Sequence, residues 1–239
     1  MSGLDRPRLA ALTPARVRLE AGAGPTRLTD LLTFQEDHAA ARDAIHGSVD
    51  WAALERDLAP LPVLHAASRA TDRATYLRRP DLGRQLAEGA LPRSAPPLQV
   101  VIGDGLSAPA VMAQAVPLMR ALAAHLPELA DRPVVLAQGA RVALGDAIGA
   151  AMGAGMVLML IGERPGLSVA DSMGAYLTLN PRPGLRDSAR NCVSNIHARG
   201  GLSADDAARR LAWLVAEGRR IGATGVALKD DSDRPRLTP

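Results

Sequence analysis

The stretch that most constrains this chain is an uncharged apolar run, residues 156–161, which ends abruptly in the turn Gly162-Glu163-Arg164-Pro165-Gly166. A continuous apolar run that ends in Gly and Pro is typical of a strand buried on both faces, as in a parallel sheet. Ligands of open α/β sheets bind beyond the carboxyl ends of such strands. Glu163 stands at that end and is a candidate ligand contact, although a solvated turn would carry the same residues.

The composition indicates a folded protein with an aliphatic core. The chain has 239 residues, of which 47% are apolar, but only two Trp, two Tyr and one Phe are present. The core is therefore built from Ala, Leu, Val and Ile. The net charge is only +3, and the Arg residues are interleaved with Asp and Glu. A nucleic-acid binder would cluster its basic residues beside exposed aromatics, so we expect no nucleic-acid partner.

Two further absences limit the function classes. Cys192 is the only cysteine, which excludes an intrachain disulfide and a zinc site built from cysteines. The sequence shows no apolar span of 18 residues and no signal peptide. We therefore expect a soluble, cytoplasmic protein without a membrane partner.

The chain divides into two parts of different character at the Pro- and Ala-rich stretch 89–97. Residues 1–26 are predicted to form an extended arm. Apolar spacing then predicts helices at 28–46 and 51–58, the first with one face formed by positions such as Leu31 and Phe34. The first domain is accordingly predicted to span residues 1–90 and to be helical.

Residues 91–239 alternate between strand and helix patterns. Strands are predicted at 98–105, 132–139, 156–161, 172–180 and 192–196, and helices at 109–126, 141–153 and from Ser203, as N-cap, to about residue 221. Such alternation predicts βαβ units. The predicted fold class is therefore α/β, an N-terminal helical domain followed by a Rossmann-like, doubly wound domain.

An Arg-rich segment surrounds Tyr76 and the break at Pro80; its members are Arg69, Arg73, Arg78, Arg79 and Arg84. Arginine offers planar, bidentate donors to carboxylates, phosphates or carbonyl-rich surfaces. Because this Arg69–Arg84 cluster straddles a turn, it favours an interface role. A solvated helix with local ion pairs to Asp72 and Asp81 is the alternative.

A glycine motif follows the first strand of the second part. Residues 103–108, GDGLSA, match the GxGxxA pattern of dinucleotide-binding turns between a strand and a helix. The next strand ends at 136–139, LAQG, without the acid that would hold a ribose. Asp104 would also crowd a pyrophosphate. An NAD-dependent oxidoreductase is therefore retained only as an alternative function.

Other catalytic signatures are missing. The sequence contains no Ser-His-Asp order, no HExxH, no Walker loop, and no Asp-x-His-x-x-Gly motif, which places a histidine on the cobalt of some corrinoids. Cys192 lies in the polar stretch 190–195, RNCVSN. A lone cysteine is usually a small buried apolar residue, but its polar neighbours also allow a position that faces a ligand.

Several separate stretches together resemble the small (light) subunit of adenosylcobalamin-dependent ethanolamine ammonia-lyase. They are SRATDRATYLRRPDLGRQL (68–86), VIGDGLSA (101–108), GARVALGDAIG (139–149), LIGERPGLSVADSMGAYLT (160–178) and RNCVSNIHARGGL (190–202). The resemblance covers roughly residues 10–230, and GERPGL combined with NCVSNI is highly specific.

The resemblance implies a Rossmann-like domain behind a helical one, and a chain that is one subunit of a hetero-oligomeric enzyme. In that family the large subunit is a TIM barrel that holds ethanolamine, and cobalamin lies between the two subunits. The cofactor keeps its own dimethylbenzimidazole on cobalt, in agreement with the missing histidine motif. The implied reaction converts ethanolamine to acetaldehyde and ammonia through an adenosyl radical. Residence in a bacterial microcompartment is left open.

The family's cobalamin contacts correspond to Val142, Glu163 and Cys192 in this sequence. The resemblance implies no catalytic acid or base and no metal ligand from this chain. A purely structural subunit without ligand contacts is a further alternative, and it predicts that Glu163→Ala leaves cobalamin affinity unchanged.

Overall fold

A computed structural model describes residues 27–89 and 91–233, so the predicted arm at 1–26 and the end of the polar tail lie outside the described residues. The helices are α1 (Leu28–His46), α2 (Trp51–Leu58), α3 (Arg73–Arg78), α4 (Ala108–His125), α5 (Val142–Met152) and α6 (Ala204–Ile221). The strands are β1 (Val63–Ala67), β2 (Gln99–Gly103), β3 (Val134–Gln138), β4 (Met156–Gly162), β5 (Met173–Leu179) and β6 (Arg190–Ile196). Short 3-10 turns lie at Leu82–Arg84, Pro127–Leu129, Asp187–Ala189 and Gly225–Ala227.

The six strands form one mixed sheet in the order β1-β3-β2-β4-β5-β6. β1 to β4 run parallel, whereas β5 is antiparallel to β4 and β6 is antiparallel to β5. α4 and α6 pack on one face of the sheet and α5 packs on the other. Every residue of β4 is buried, which confirms the strand predicted from the apolar run.

The fold prediction is confirmed at the level of a mixed α/β sheet with helices, but not in its doubly wound detail. β5 and β6 form an antiparallel meander instead of further βαβ units. The segments 163–172 and 180–189 that connect β4 to β5 and β5 to β6 contain only loops and one short 3-10 turn. A parallel connection needs a crossover, usually a helix, so these segments favour antiparallel pairing.

β1 corrects the prediction of a purely helical first part. It pairs in parallel with β3, with Val63 opposite Val134. The sequence VLHAA hides this strand because it is short and contains two Ala and one His, which are weak strand formers. The predicted boundary at 89–97 therefore falls between two strands of one sheet.

The two long helices at either end of the chain differ in burial. Ser203 caps α6 by accepting a hydrogen bond from the Asp206 N–H at 3.1 Å, as predicted, and Leu211 and Val215 are fully buried. In α1, by contrast, Leu31 and Phe34 of the predicted apolar face are exposed. That face is therefore not buried against the described part of this chain.

Candidate functional site

The carboxyl ends of the four parallel strands meet at one edge of the sheet, where the candidate residues lie. Glu163 directly follows β4, and Val142 begins the helix that follows β3. The antiparallel strand β5 begins at this edge, after Ser172, and β6 ends there at Ile196. Segments far apart in sequence therefore share one surface.

Glu163 is held on one side of its carboxylate and open on the other. Its Oε2 accepts hydrogen bonds from the Ser172 hydroxyl at 2.6 Å and from the Asn195 N–H at 3.3 Å. Its backbone N–H donates to the Ser172 carbonyl at 2.9 Å. Within the described part of the chain, Oε1 has no hydrogen-bond donor. A half-buried carboxylate with a free oxygen is suited to accept an N–H from a ligand.

Val142 lies at the N-terminus of α5, where the backbone offers free donors. The N-cap residue Arg141 provides no side-chain cap. Among residues 27–89 and 91–233, no acceptor pairs with the N–H groups of Val142 and Ala143. The first N–H groups of a helix have no partner within the helix and need one from outside. This end of α5 can therefore donate to a carbonyl or an anion.

Cys192 lies in the middle of the edge strand β6, opposite Tyr176 of β5. The residue is exposed. Its thiol is nevertheless partly shielded from water, and this burial raises the pKa of Cys192. A hydrogen bond with the Tyr176 hydroxyl opposes the rise, and the nearby Glu163 carboxylate adds to it. The thiol is therefore protonated at neutral pH, and it offers a soft contact and not a nucleophile.

Two adjoining concavities bring the three candidates together. One, of about 370 Å³, is lined by Val142 and Glu163, and the other, of about 470 Å³, is lined by Val142 and Cys192. Tyr176 and Arg141 line both. Burial raises the pKa of Tyr176, so its hydroxyl stays neutral. The two concavities form one continuous acceptor-and-donor surface around the Tyr176 ring.

Contacts with Tyr76 hold the start of α5 in place. Two guanidinium groups lie close to this buried ring, that of Arg141 at 4.3 Å and that of Arg73 at 4.7 Å from its centroid. The Tyr76 hydroxyl donates to the Ala140 carbonyl at 3.0 Å, and burial raises the pKa of Tyr76 to about 12. Cation–π stacking on a desolvated ring is favourable, so Tyr76 holds the residue that precedes Val142 in place.

The glycine turn after β2 is closed by the protein itself. The Asp104 carboxylate accepts N–H bonds from Gly105 at 3.0 Å, Gly139 at 3.0 Å and Ala140 at 2.7 Å. Burial raises the pKa of Asp104, although those donors and the Arg73 guanidinium act in the opposite direction.

This closure uses N–H groups of the turn that a dinucleotide would need. Gly105 has a left-handed φ of 58°, and a Cβ built there would lie 2.1 Å from the Gly162 carbonyl oxygen. The turn therefore packs against the end of β4. The Gly105 N–H binds the Asp104 carboxylate, and the Leu106 N–H donates to the Gly162 carbonyl at 2.9 Å. A pyrophosphate would need N–H groups of this turn. The alternative of an NAD-dependent oxidoreductase is not supported.

The members of the Arg69–Arg84 cluster make mainly local bonds. Most members bond within the segment or to the protein interior: Arg69 to Gln85, Arg73 to the carbonyls of Ile45 and Gly105, Arg78 to the carbonyl of Ala74, and Arg79 to Asp81. Arg84 alone of the five lines the larger concavity. Local pairing, the alternative in the sequence analysis, therefore accounts for much of the cluster.

The described residues contain no group of three or more His, Cys, Asp or Glu side chains placed to hold a metal ion. Likewise, none of the described helices is long and apolar enough to cross a membrane.

Comparison with known proteins decides the family. Residues 5–229 match the model of the ethanolamine ammonia-lyase light chain. The chain belongs to the ethanolamine ammonia-lyase light-chain family. It is thus a lyase subunit, as the resemblance in its sequence implies.

Similar proteins named ethanolamine ammonia-lyase small subunit span nearly the same length as this chain. That of Bradyrhizobium diazoefficiens is 57% identical, with 94% of this chain and 90% of the relative aligned. That of Rhodopseudomonas palustris is 52% identical, with 94% and 89% aligned. That of Rhodococcus erythropolis is 45% identical, with the same two fractions, 94% and 89%, aligned.

The structure adds residues beside the candidate site that the sequence analysis did not single out. Tyr176 lines both concavities, and Ser172 and Asn195 hydrogen-bond to Glu163. A tyrosine in a strand and a serine before it carry no special signal. Asn195 does: its left-handed φ of 62° is a conformation that asparagine tolerates better than most residues, and NCVSNI places it at the strand end.

Proposed function

We propose that this chain is the small subunit of an adenosylcobalamin-dependent ethanolamine ammonia-lyase, which converts ethanolamine to acetaldehyde and ammonia. In this proposal the chain forms one wall of a cobalamin site, and the large subunit forms the other. The observation that carries it is the convergence of Val142, Glu163 and Cys192 around one surface, with hydrogen-bonding groups left free.

The chemistry of this surface fits the rim of a corrin. A corrin carries amide side chains, each with N–H donors and a carbonyl acceptor. The free Oε1 of Glu163 can accept from such an N–H, and the Val142 N–H can donate to such a carbonyl. The Cys192 thiol and the Tyr176 ring provide apolar, polarisable area between these two contacts.

The division of labour follows from what these residues are. When bound, adenosylcobalamin supplies a radical by homolysis of its cobalt–carbon bond, and the protein positions it. Val142 contributes a backbone group, and Cys192 contributes a protonated thiol. The role proposed for this chain is to orient the cofactor and to close its site against water, while the large subunit holds ethanolamine.

The test uses the complex of this chain with a large subunit from the same organism. Cobalamin binding, followed by the visible absorption of the corrin, and ammonia release are expected only when both chains are present. Glu163→Ala is expected to raise the Kd for cobalamin about tenfold, the size of one hydrogen bond to a charged group.

Glu128→Ala serves as the matched control. Glu128 is paired with Arg219 near the amino ends of the parallel strands, far from the site. It should leave the affinity unchanged. Absence of cobalamin binding by the mixture would refute the proposed function, and an unchanged Kd for Glu163→Ala would refute the contact and favour a purely structural subunit.

A further inference from the structure

The way in which Glu163 is held points to residues that serve it. Carboxylates on surface loops usually rotate freely, yet here one oxygen receives two donors from different elements. The Ser172 hydroxyl, itself buried, donates to Oε2 at 2.6 Å. The N–H of Asn195 donates to the same oxygen at 3.3 Å. The two donors fix the side-chain torsions and leave Oε1 as the oxygen available to a ligand.

The Asn195 donor exists because β6 is irregular at this point. Met173 pairs with Ile196 and Ala175 pairs with Val193. Between these pairs one residue of β5 lies opposite two residues of β6, which is a β-bulge. The bulge contains Asn195, whose φ of 62° turns its N–H out of the ladder. Bulges re-aim backbone and side chains next to binding sites. Here the re-aimed group is the N–H that meets Glu163.

The side chain of Asn195 is fixed as well. Its Oδ1 lies 2.8 Å from Nε2 of His197, and Nδ1 of that buried histidine accepts the Arg199 N–H at 3.2 Å. The ring therefore carries its proton on Nε2 and donates it to Asn195. This arrangement leaves the Asn195 side chain no freedom to replace the backbone donor.

Space for the carboxylate is provided by Gly174 of β5. A Cβ built at this glycine would lie 2.9 Å from Oε1 of Glu163 and 3.0 Å from the Tyr176 ring. The carboxylate therefore lies directly over the strand, beside the ring that lines both concavities. A side chain here would displace Glu163 from the position that its two donors define.

We propose that Ser172 is a positioning residue, which together with the bulge at Asn195 orients Glu163 so that Oε1 faces the cofactor. This inference rests on the proposed function. Ser172 acts through Glu163 and does not touch the cofactor itself. Its loss should therefore weaken cobalamin binding only while Glu163 is present.

A double-mutant cycle on the assembled complex tests this. Ser172→Ala is expected to raise the Kd for cobalamin about fivefold, because an unrestrained carboxylate pays the ordering cost on binding. In a Glu163→Ala background the same change is expected to alter the Kd less than about twofold, since coupled residues are not additive. Ser168→Ala is the matched control: Ser168 is exposed on the same loop and should leave the Kd unchanged.

Two further variants keep the test decisive. Ser172→Thr retains the hydroxyl and should restore binding. If Ser172→Ala does not assemble, Ser172→Cys is only slightly larger than serine and donates far more weakly, so it should show the same loss. An unchanged Kd for Ser172→Ala, or an equal loss with and without Glu163, would overturn the positioning role. A Kd unaffected by Glu163→Ala would instead refute the underlying contact.

Discussion

Two carboxylates follow neighbouring parallel strands of this sheet, and they are used in opposite ways. Asp104, after β2, keeps only 15% of its side chain exposed and accepts three backbone N–H bonds, with an Arg73 guanidinium 3.7 Å away. Glu163, after β4, accepts two hydrogen bonds on one oxygen and none from the described residues on the other. Asp104 therefore closes the glycine turn, whereas Glu163 keeps one carboxylate oxygen available to a ligand.

The comparison shows how to distinguish, at a strand end, a carboxylate that stabilises the fold from one that is available to a ligand. Position alone marks both as candidates, since ligands gather at this edge. What separates them is the count of satisfied hydrogen bonds on each oxygen. A carboxylate whose acceptors are all filled by its own chain has nothing to offer a ligand, however typical its surrounding motif.

The largest effect should come from removing the carboxylate of Asp104. Asp104→Ala leaves three N–H donors at Gly105, Gly139 and Ala140 without an acceptor, and each such loss costs about 1–3 kcal/mol. We expect the free energy of unfolding to fall by at least about 3 kcal/mol in urea denaturation of the full chain. Glu163→Ala frees only two donors, the Ser172 hydroxyl, which can rotate, and the Asn195 N–H at 3.3 Å, so it should cost less, about 1–2 kcal/mol. Equal losses for the two variants would erase the distinction.

The next largest effect on stability concerns the buried ion pairs of Arg190, which lines the larger concavity. Arg190 is buried and pairs with Asp146 of α5 and with Asp187 at 2.6 Å. Arg190→Met leaves Asp146 buried without a counter-charge, which costs about 3 kcal/mol. The double variant Arg190→Met, Asp146→Leu should recover part of this loss in the same denaturation experiment.

Arg164→Met is the control. Arg164 is exposed and adjoins Glu163, so its replacement should leave the free energy of unfolding nearly unchanged. A loss below about 1 kcal/mol for Arg190→Met would mean that the buried pair does not anchor β6 to α5.

A smaller effect compares the two tyrosines that flank the site. Tyr76→Phe keeps the ring beside its two arginines but removes the bond to the Ala140 carbonyl, so the stability should fall by about 1 kcal/mol. Tyr176→Phe lies on the open side and should change stability by less than about 0.5 kcal/mol. Melting temperatures of the two variants measure this, and the reverse order would place the buried anchor at Tyr176.

The smallest effect is the change in the pKa of the Cys192 thiol when the charge of Glu163 is removed. Burial and the Glu163 charge both raise the pKa of this thiol. Glu163→Gln removes the like charge and favours the thiolate, so the pKa of Cys192 should fall. The pH dependence of alkylation by iodoacetamide measures the shift, with its midpoint moving to lower pH. Asp171→Asn, on the same loop, should leave the midpoint in place; a shift there as well would remove the specificity of Glu163.

The sequence predicted the elements that depend on local pattern. The apolar run of β4, the Ser203 cap of α6 and the glycine turn after β2 were each recognised. β1 was missed because its five residues have weak strand propensity and are held by pairing with β3, 71 positions away in the Val63–Val134 pair. The antiparallel course of β5 and β6 was also missed, because strand direction depends on the connection and not on the strand's own residues.

For the site, the sequence by itself determined the family and named Val142, Glu163 and Cys192 as candidates, because these residues lie in the short motifs that carry the resemblance. Only the tertiary structure decided which acid is free. Asp104 meets Gly139 and Ala140 across 35 and 36 residues, and Glu163 meets Asn195 across 32. Whether a polar group is satisfied depends on partners brought together by folding, so no local pattern records it.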